Sequence, residues 1–307
     1  MRKIKKLKTI TAFHQTRSLA PPEHPLISIV NYADIQMQPE YFDCKWIFDF
    51  YLIALKKNIG GKVMYGQQSY DFDEGVMFFI APGQVFGIEQ ITGTPAKKSG
   101  WMLLIHPDFL WSTALARGIK KYEYFSYAIH EALFVSKKEE DTLMDIISNI
   151  EREYHANIDK FSQGIIISQI ETLLNYSDRF YNRQFITRKR AGHQMLEQLE
   201  SLFSAYFDEN IVGKKGLPTV QYFAERLNLS PKYLSSMLKT LTGQTAQQFI
   251  HEHLIELAKE KLSITSLSVS EIAYMLGFEH SQSFNKLFKS KTSFSPLEFR
   301  KSFDKQN

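Results

Sequence analysis

The sequence predicts an α+β protein of about two domains, because the two ends of the chain differ in hydrophobic periodicity. Short apolar runs separated by turn-forming residues fill the stretch 26–106, which is typical of β-structure. The last third instead repeats apolar residues every three or four positions, as helices do. With 307 residues, of which 44% are hydrophobic and 23% charged, the composition is that of a globular protein and excludes a fibrous or disordered chain.

An N-terminal β domain is expected over residues 1–135. Predicted turns at 58–61, 71–75 and 82–84 separate runs that are rich in β-branched and aromatic residues. This pattern predicts a β-sandwich or barrel, here a cupin-like β-barrel, and a small barrel can enclose one small ligand. The predicted strands are 26–30, 46–55, 75–80 and 101–105. The candidate ligand contacts are the aromatic residues Trp46, Phe48, Phe50, Phe78 and Phe79, most of which are expected to be plain core.

A helical stalk and connector are expected over residues 136–190. Two predicted helices in this stretch each carry one apolar stripe, and the polar and basic stretch 185–190, with Arg183 just before it, is the predicted connector. Periodicity leaves two interpretations open: both stripes cover the β domain, or one of them forms a dimer interface. The first stripe contains Leu143, Ile146, Ile147, Ile150 and Tyr154, and the second contains Ile166, Ile170, Leu173, Leu174 and Tyr181.

The C-terminal domain, expected over residues 191–307, begins its functional part with a pair of short helices. Thr219 can cap the first helix, and Ala224 is small enough to let a second helix approach. Ser230 and Pro231 form an N-cap followed by proline at the first helical position, and Gly243 supplies the C-cap. The second helix turns Lys232, Ser235, Ser236 and Lys239 outward.

A second pair of helices repeats this pattern about 50 residues later. Ser270 is the predicted cap, Ala273 takes the place of Ala224, and Gly277 lies in the turn. A long linker helix is predicted between the two pairs, at about 246–263. The last helix of the second pair turns Ser281, Gln282, Asn285, Lys286 and Lys289 outward.

The charge of the chain is concentrated in this last third. Residues 210–307 contain 13 basic and 8 acidic side chains, whereas the rest of the chain contains 24 basic and 25 acidic ones. Short polar and cationic side chains on an exposed helix suit the major groove, where glutamine pairs with adenine and lysine with guanine or phosphate. Two such helix pairs favour a double-stranded DNA-binding function over plain helical packing.

Several strings in the last hundred residues match a known family. They include Ile-Ala-Tyr-Met-Leu-Gly-Phe at 272–278, Ser-Phe-Asn-Lys-Leu-Phe-Lys at 283–289 and Ser-Pro-Leu-Glu-Phe-Arg at 295–300. Further matches lie upstream, at 229–235, 239–243 and 258–262. On these motifs the chain resembles the AraC/XylS family of bacterial transcription regulators, whose DNA-binding domain contains two helix-turn-helix units. The β domain and stalk resemble, more loosely, the sensory and dimerisation half of that family.

The resemblance implies that two recognition helices enter successive major grooves on one face of the duplex. The partners it implies are double-stranded DNA, a second copy of the chain, a small-molecule effector, and RNA polymerase if the protein is an activator. By position, Lys232, Ser235 and Ser236 would read bases in the first unit, and Ser281, Gln282 and Lys286 in the second.

The sequence departs from the family at two positions. Ser293 stands where the family commonly has glycine, so we expect a distorted turn. Leu254 stands where the linker helix often carries arginine, so we expect the loss of a phosphate or structural contact. The small Ser235 and Ser236 also predict that the first recognition helix contributes less to base readout than the second.

The alternative function is a cupin-like metalloenzyme with a helical appendage. Such an enzyme needs clustered histidine and carboxylate ligands on neighbouring strands. The N-terminal half has five scattered histidines and no His-x-His pair, and 251–253 lies on the linker helix, where residues two apart do not share a face. We therefore expect no catalytic activity, metal or cofactor. The scattered histidines are His14, His24, His106, His130 and His155.

The sequence also predicts a cytoplasmic protein. Cys44 is the single cysteine, which excludes an intrachain disulfide. The basic N-terminus is not followed by an apolar run with a cleavage site, and no stretch has the roughly 18 apolar residues of a membrane span.

Overall fold

The chain divides into two compact units, Met1–Gln184 and Phe185–Asn307. Residues 136–184 of the predicted stalk thus belong to the first unit, and the finer three-part division stays a prediction. The predicted turn segments 58–61 and 71–74, together with His130 and Arg188, lie outside the described residues. The computed structural model describes residues 3–36, 44–57, 63–65, 68–70, 75–87, 99–128, 131–156, 159–187, 189–208 and 211–304.

The described strands of the first unit form two sheets and a separate hairpin. The larger sheet is antiparallel with the order β10-β7-β4-β9-β2, the smaller has the order β1-β3-β8, and β5 pairs with β6. The strands are β1 (Lys3–Leu7), β2 (Ile27–Asn31), β3 (Cys44–Phe48), β4 (Tyr51–Lys57), β5 (Val63–Tyr65), β6 (Gln68–Tyr70), β7 (Gly75–Ile80), β8 (Val85–Gly87), β9 (Ser99–Ile105) and β10 (Leu133–Val135). The α+β prediction is confirmed, whereas the cupin-like closed barrel stays a prediction.

The single strand predicted at 46–55 is two strands in the structure. β3 belongs to the smaller sheet and β4 to the larger, and the chain crosses between the sheets at Asp49 and Phe50. The backbone N–H of Asp49 donates to the carbonyl of Leu7 at 3.0 Å, and the N–H of Gly83 donates to that of Phe48 at 2.7 Å. Because the residues on both sides of the crossing are buried, the sequence shows one apolar run there, which only Asp49 interrupts.

Both faces of the larger sheet are buried, as its alternating side chains show. Leu52 and Leu104 point into a core shared with Phe48 of the smaller sheet. Ile53 and Leu103, on the opposite face, are also completely buried. The sheet is therefore a central layer, covered on one face by the smaller sheet and on the other by helices.

The aromatic residues predicted as ligand contacts lie mostly in this shared core. Trp46, Phe48 and Phe50 are completely or almost completely buried, and the Phe48 and Phe50 rings stack with centroids 4.8 Å apart. The guanidinium of Arg17 lies 4.5 Å from the ring centroid of Trp46. Phe78 is half-buried and lies 5.1 Å from the ammonium of Lys56. Trp46, Phe48 and Phe50 pack against protein groups, as core residues do. Phe79 is also buried, and ligand contact by any of the five aromatic candidates stays a prediction.

The two apolar helical stripes are both buried inside the first unit. The α-helices that the structure describes in this unit are α1 (Ile10–Thr16), α2 (Ala114–Gly118), α3 (Lys137–Tyr154) and α4 (Ser162–Thr187), the last of which continues three residues past the end of the unit. Every residue of the two predicted stripes is buried. The amide of Gln184 joins α4 to the sheet, accepting from the N–H of Phe134 at 2.8 Å and donating to the carbonyl of Ala132. The stripes thus cover the β domain, and a dimer, which stays a prediction, would need another surface.

An arginine fork fastens the start of α3 to α4. Arg183 donates two hydrogen bonds to the carboxylate of Glu139, at 2.9 and 2.6 Å, and a third to the carbonyl of Phe134. Glu139 also accepts from the backbone N–H of Ser136, which closes a capping box at the start of α3. One of the basic residues that marked the predicted connector is therefore a structural bridge.

The described elements of the second unit are helical. They are α5 (Lys189–Asp208), α6 (Val212–Lys215), α7 (Val220–Arg226), α8 (Pro231–Thr242), α9 (Ala246–Ile264), α10 (Val269–Met275), α11 (Ser281–Thr292) and α12 (Pro296–Asp304). Among the residues that the structure describes, no helix combines the length and the apolar character that crossing a membrane requires.

Helices α8 and α11 end in the same way, although only one of them ends in glycine. Gly243 after α8 has φ 79°, and Ser293 after α11 has φ 66°, so both are left-handed. Each cap N–H donates to a carbonyl four residues back, that of Lys239 or Lys289. The turn at Ser293 therefore keeps the geometry of a glycine cap, and the expected distortion of the turn is absent. The left-handed conformation is instead adopted by a residue with a Cβ, which is strained there.

Phe48→Ala is expected to lower the free energy of unfolding of the first unit by about 3–5 kcal/mol, because it leaves a cavity in the core. The three tryptophans of the chain all lie in this unit, so denaturant unfolding followed by tryptophan fluorescence measures it selectively. The matched control Phe78→Ala, at a half-buried ring, should cost roughly 1 kcal/mol. Equal losses for the two variants would contradict the assignment of Phe48 to the packed core.

Ser293→Gly is expected to stabilise the second unit by about 1 kcal/mol, since it relieves the left-handed strain. The reciprocal variant Gly243→Ser should destabilise it by a similar amount. Amide hydrogen exchange in α11 and α8 measures both effects. If Ser293→Gly does not slow amide exchange in α11, or if Gly243→Ser slows it in α8, the left-handed cap is not strained.

Candidate nucleic-acid interface

The first helix-turn-helix unit consists of α7 and α8. The hydroxyl of Thr219 accepts from the N–H of Tyr222 at 3.1 Å and begins α7, as predicted. Asn228 adopts φ 55°, which lets the next N–H, that of Leu229, donate to the carbonyl of Ala224 at 2.8 Å. Ser230 then caps α8. The completely buried Ala224 thus lies where the chain turns from the first helix to the second.

The second unit, α10 and α11, repeats this turn. Gly277 has φ 90°, and the N–H of Phe278 donates to the carbonyl of the completely buried Ala273 at 3.0 Å. The predicted cap was wrong by two residues. Ser268 caps α10, in a capping box with Glu271, because only Ser268 precedes the first helical turn. Hydrogen bonds from the backbone and hydroxyl of Ser268 lower the pKa of the Glu271 carboxyl.

Four outward residues of each second helix correspond to one another at a spacing of 50 residues, and only Ser281 has no outward counterpart in α8. The side chains of Leu234 and Leu238 are buried in α8, and Phe284 and Phe288 are buried at the matching positions of α11. Burial of these stripes turns the opposite faces of both helices outward. The matching outward pairs are Lys232 and Gln282, Ser235 and Asn285, Ser236 and Lys286, and Lys239 and Lys289.

The outward faces of α8 and α11 differ in the length and exposure of their side chains. In α11 the side chains of Gln282, Asn285, Lys286 and Lys289 are exposed, and Ser281 is half-buried. In α8 the side chains of Lys232 and Lys239 are exposed, whereas Ser235 and Ser236 are half-buried. The α11 face therefore presents longer hydrogen-bonding groups than the α8 face.

Ser235 also has a structural role that the sequence did not reveal. Its hydroxyl accepts a hydrogen bond of 3.3 Å from the N–H of Ala246, the first residue of α9. Because the first N–H groups of a helix lack partners within the helix, this bond helps to fasten the start of α9 to α8.

Helix α9 is the common support of both units. It packs against α7 and α8, which precede it in the chain, and against α10, α11 and α12, which follow it. Its buried stripe includes Ile250, Leu254, Ala258 and Leu262. Leu254 thus serves in packing, so an arginine there would have to bury its charge. From α12, Nε of Arg300 donates to the carbonyl of Leu262 at 3.2 Å.

A close contact between two glycines joins the loop before the first unit to the turn of the second. A Cβ on Gly277 would lie 2.6 Å from the carbonyl carbon of Gly216 and 2.7 Å from the nitrogen of Leu217. The hydroxyl of Tyr206 donates to the carbonyl of Gly216 at 2.9 Å. The sequence showed both glycines, but it carried no signal that they meet.

The histidines of α9 pack against neighbouring side chains. Nδ1 of His253 lies 2.9 Å from the carbonyl oxygen of Phe249, and their ring centroids are 3.9 Å apart. Burial, and to a smaller extent the ammonium of Lys291, lower the pKa of His251. Within the described ranges no group of three histidine, cysteine or acidic side chains could hold a metal ion.

The sequence of this region matches a family model described as a helix-turn-helix domain, at residues 223–302. The chain is 37% identical over 84 residues to the raffinose operon transcriptional regulatory protein RafR of Pediococcus pentosaceus, covering 27% of this chain and 30% of that protein. It is 29% identical over 128 residues to the HTH-type transcriptional activator RhaS of Escherichia coli O139:H28, covering 41% and 45%.

A solved structure also resembles this part of the chain. It is the C-terminal domain of the two-component response regulator yesN from Fusobacterium nucleatum, with 31% identity, a TM-score of 0.28, and coverage of 33% of this chain and 96% of that one. The chain spans between 30% and 45% of the length of the two curated relatives. The family model and these relatives agree with the motifs and the paired geometry: the chain carries a C-terminal helix-turn-helix domain of the AraC/XylS family.

Proposed function

We propose that the protein is a transcription regulator that binds double-stranded DNA in a sequence-specific way through its second unit. The observation that carries this proposal is the packing of two helix-turn-helix units on one shared helix, α9, with polar and cationic residues at matching outward positions. Two recognition helices fixed to one support can contact two segments of one duplex.

In this proposal the two helix-turn-helix units contribute unequally to base readout. In α11, Gln282 and Lys286 have the length and the hydrogen-bonding groups to reach adenine and guanine edges. In α8, Ser235 and Ser236 are short and half-buried, so Lys232 is the outward residue there with the longest reach toward a base. Lys239 and Lys289, which come later in the two helices, suit phosphate contacts that position the protein without reading sequence.

The first unit serves regulation in this proposal. The resemblance to the AraC/XylS family supports a sensory and dimerising role for it, a homodimer in solution, and a contact with RNA polymerase if the protein activates transcription. A small-molecule effector would act only if its affinity differed between the active and inactive arrangements. We propose no catalytic activity.

Selection of bound duplexes from a random DNA pool tests the DNA-binding function. The full-length protein, at about 50 mM and about 200 mM salt, should enrich one motif with two segments about one helical turn apart. Binding should weaken with salt while the motif stays the same, because base contacts carry the sequence information. Binding that is blind to sequence and disappears at the higher salt concentration would contradict the proposal.

Lys286→Ala tests the assignment of base readout to α11. It should weaken binding to the selected duplex and relax base choice at one position by about 1–3 kcal/mol, because a lysine reading a base edge discriminates by that amount. Competition binding against single-base variants of the duplex measures the effect. The control Lys301→Ala removes an equal charge from an exposed position of α12 and should not change base choice. Equal weakening on every sequence would instead make Lys286 a phosphate contact.

A further inference from the structure

The first unit contains a cleft of about 310 Å³ that lies outside the aromatic core. Its walls come from the start of β2, a short 3₁₀ turn at Pro107–Leu110, the end of α3 and the start of α4. The volume is at the lower end of the range for small-molecule sites in proteins. The predicted ligand contacts Trp46, Phe48 and Phe50 pack elsewhere, in the core between the sheets.

Hydrogen bonds between distant parts of the chain hold the walls of this cleft. The hydroxyl of Tyr154, on α3, accepts from the N–H groups of Glu23 and His24, at 2.8 and 3.3 Å. The side-chain amide of Gln163, on α4, donates to the carbonyl of Phe109 at 2.7 Å. The rings of His24 and Phe109 meet edge to face, with centroids 5.6 Å apart. The cleft is therefore a preformed feature of the unit.

The cleft combines an apolar base with an acidic rim. Leu26, Ile27, Phe109 and Ile166 supply apolar surface. Three carboxylates line it, and Lys160 is the one lysine or arginine among its lining residues in the described chain. The ammonium of Lys160 lies 4.9 Å from the ring centroid of Phe161, which is outside the lining. The three carboxylates are those of Asp108, Glu153 and Asp159.

The acidic side chains are not all neutralised by protein partners. Oδ1 of Asp159 accepts from the N–H groups of Phe161 and Ser162 at the start of α4. The half-buried carboxylate of Glu153 makes no hydrogen bond or ion pair with any residue that the structure describes. Burial lowers the pKa of His24, and its Nδ1 accepts from the N–H of Leu26. The rim thus attracts a cation.

We propose that this cleft binds a small organic cation: an amine with a compact apolar body. The apolar body would lie on Leu26, Phe109 and Ile166, and the ammonium group near Glu153. A metal ion is the less suitable occupant, because the carboxylates do not form a metal-holding group within the described ranges. This site adds a binding activity to the first unit and does not depend on the DNA-binding proposal.

Three probes with the same apolar body and different head groups test the charge preference. Titration calorimetry of the full-length protein with 2-phenylethylamine, 2-phenylethanol and 3-phenylpropionate should show binding of the amine at about millimolar affinity, as a small fragment allows. The alcohol should bind at least about tenfold more weakly, and the carboxylate more weakly still. An amine that does not bind, or that binds no better than the alcohol, overturns the proposal.

Matched variants locate the binding. Glu153→Gln keeps the size of the side chain and should weaken amine binding by about tenfold, whereas Glu151→Gln, on an exposed part of the same helix, should not change it. Leu26→Trp should fill the cleft and abolish binding of all three probes. Tryptophan fluorescence checks that each variant is folded. Unchanged amine affinity in both Glu153→Gln and Leu26→Trp would overturn the assignment to this cleft.

DNA binding by the same preparations separates the two proposals. A protein that binds its selected duplex but not the amine retains the regulator function and lacks the proposed site. A protein that binds the amine but enriches no DNA motif has the proposed site and lacks the regulator function.

Discussion

The burial of one side of α9 is the constraint on which the second unit depends. Both helix-turn-helix units pack on this helix, and Ala258 and Leu262 in its stripe are almost completely shielded from water. Each recognition helix buries one apolar stripe within the unit, so its opposite face must point outward. The direction in which Lys232 or Lys286 points is therefore a consequence of hydrophobic burial, which is the larger energy, and not of the charges themselves.

The two units share a backbone plan and differ in side chains. In both, a small alanine is followed by a left-handed residue, Asn228 or Gly277, and by an N–H that returns to the alanine carbonyl. In the first unit this plan ends at Gly243, and in the second at Ser293, which adopts the same conformation at a cost. Gly277 cannot be replaced as easily, because the backbone of Gly216 occupies the place of a side chain. A side chain can therefore replace glycine at the cap after the second helix, where space is open, but not at Gly277, where two backbones are in contact.

The first unit uses its aromatic residues for its own stability. Rings from the helix α1 and from the smaller sheet meet edge to face, with the centroids of Phe13 and Phe86 lying 5.7 and 4.9 Å from that of Phe48. Such packing fills the space between the sheets, and the arginine fork of Arg183 holds the helical layer on the other side. The cleft at the end of α3 lies outside the aromatic packing between the sheets, and carboxylates line its rim.

The sequence by itself determined the α+β division, the two helical stripes and the two helix pairs with their outward residues. Each depends on local periodicity, caps or turn residues, which act within a few positions of the chain. Only the tertiary structure decided that 46–55 crosses between two sheets, that Ser235 holds the start of α9, and that Gly216 touches Gly277. These features, and the cleft beside Tyr154, join residues that are distant in the chain. Periodicity reports only which faces of an element are buried, and it carries no information on the partner that buries them.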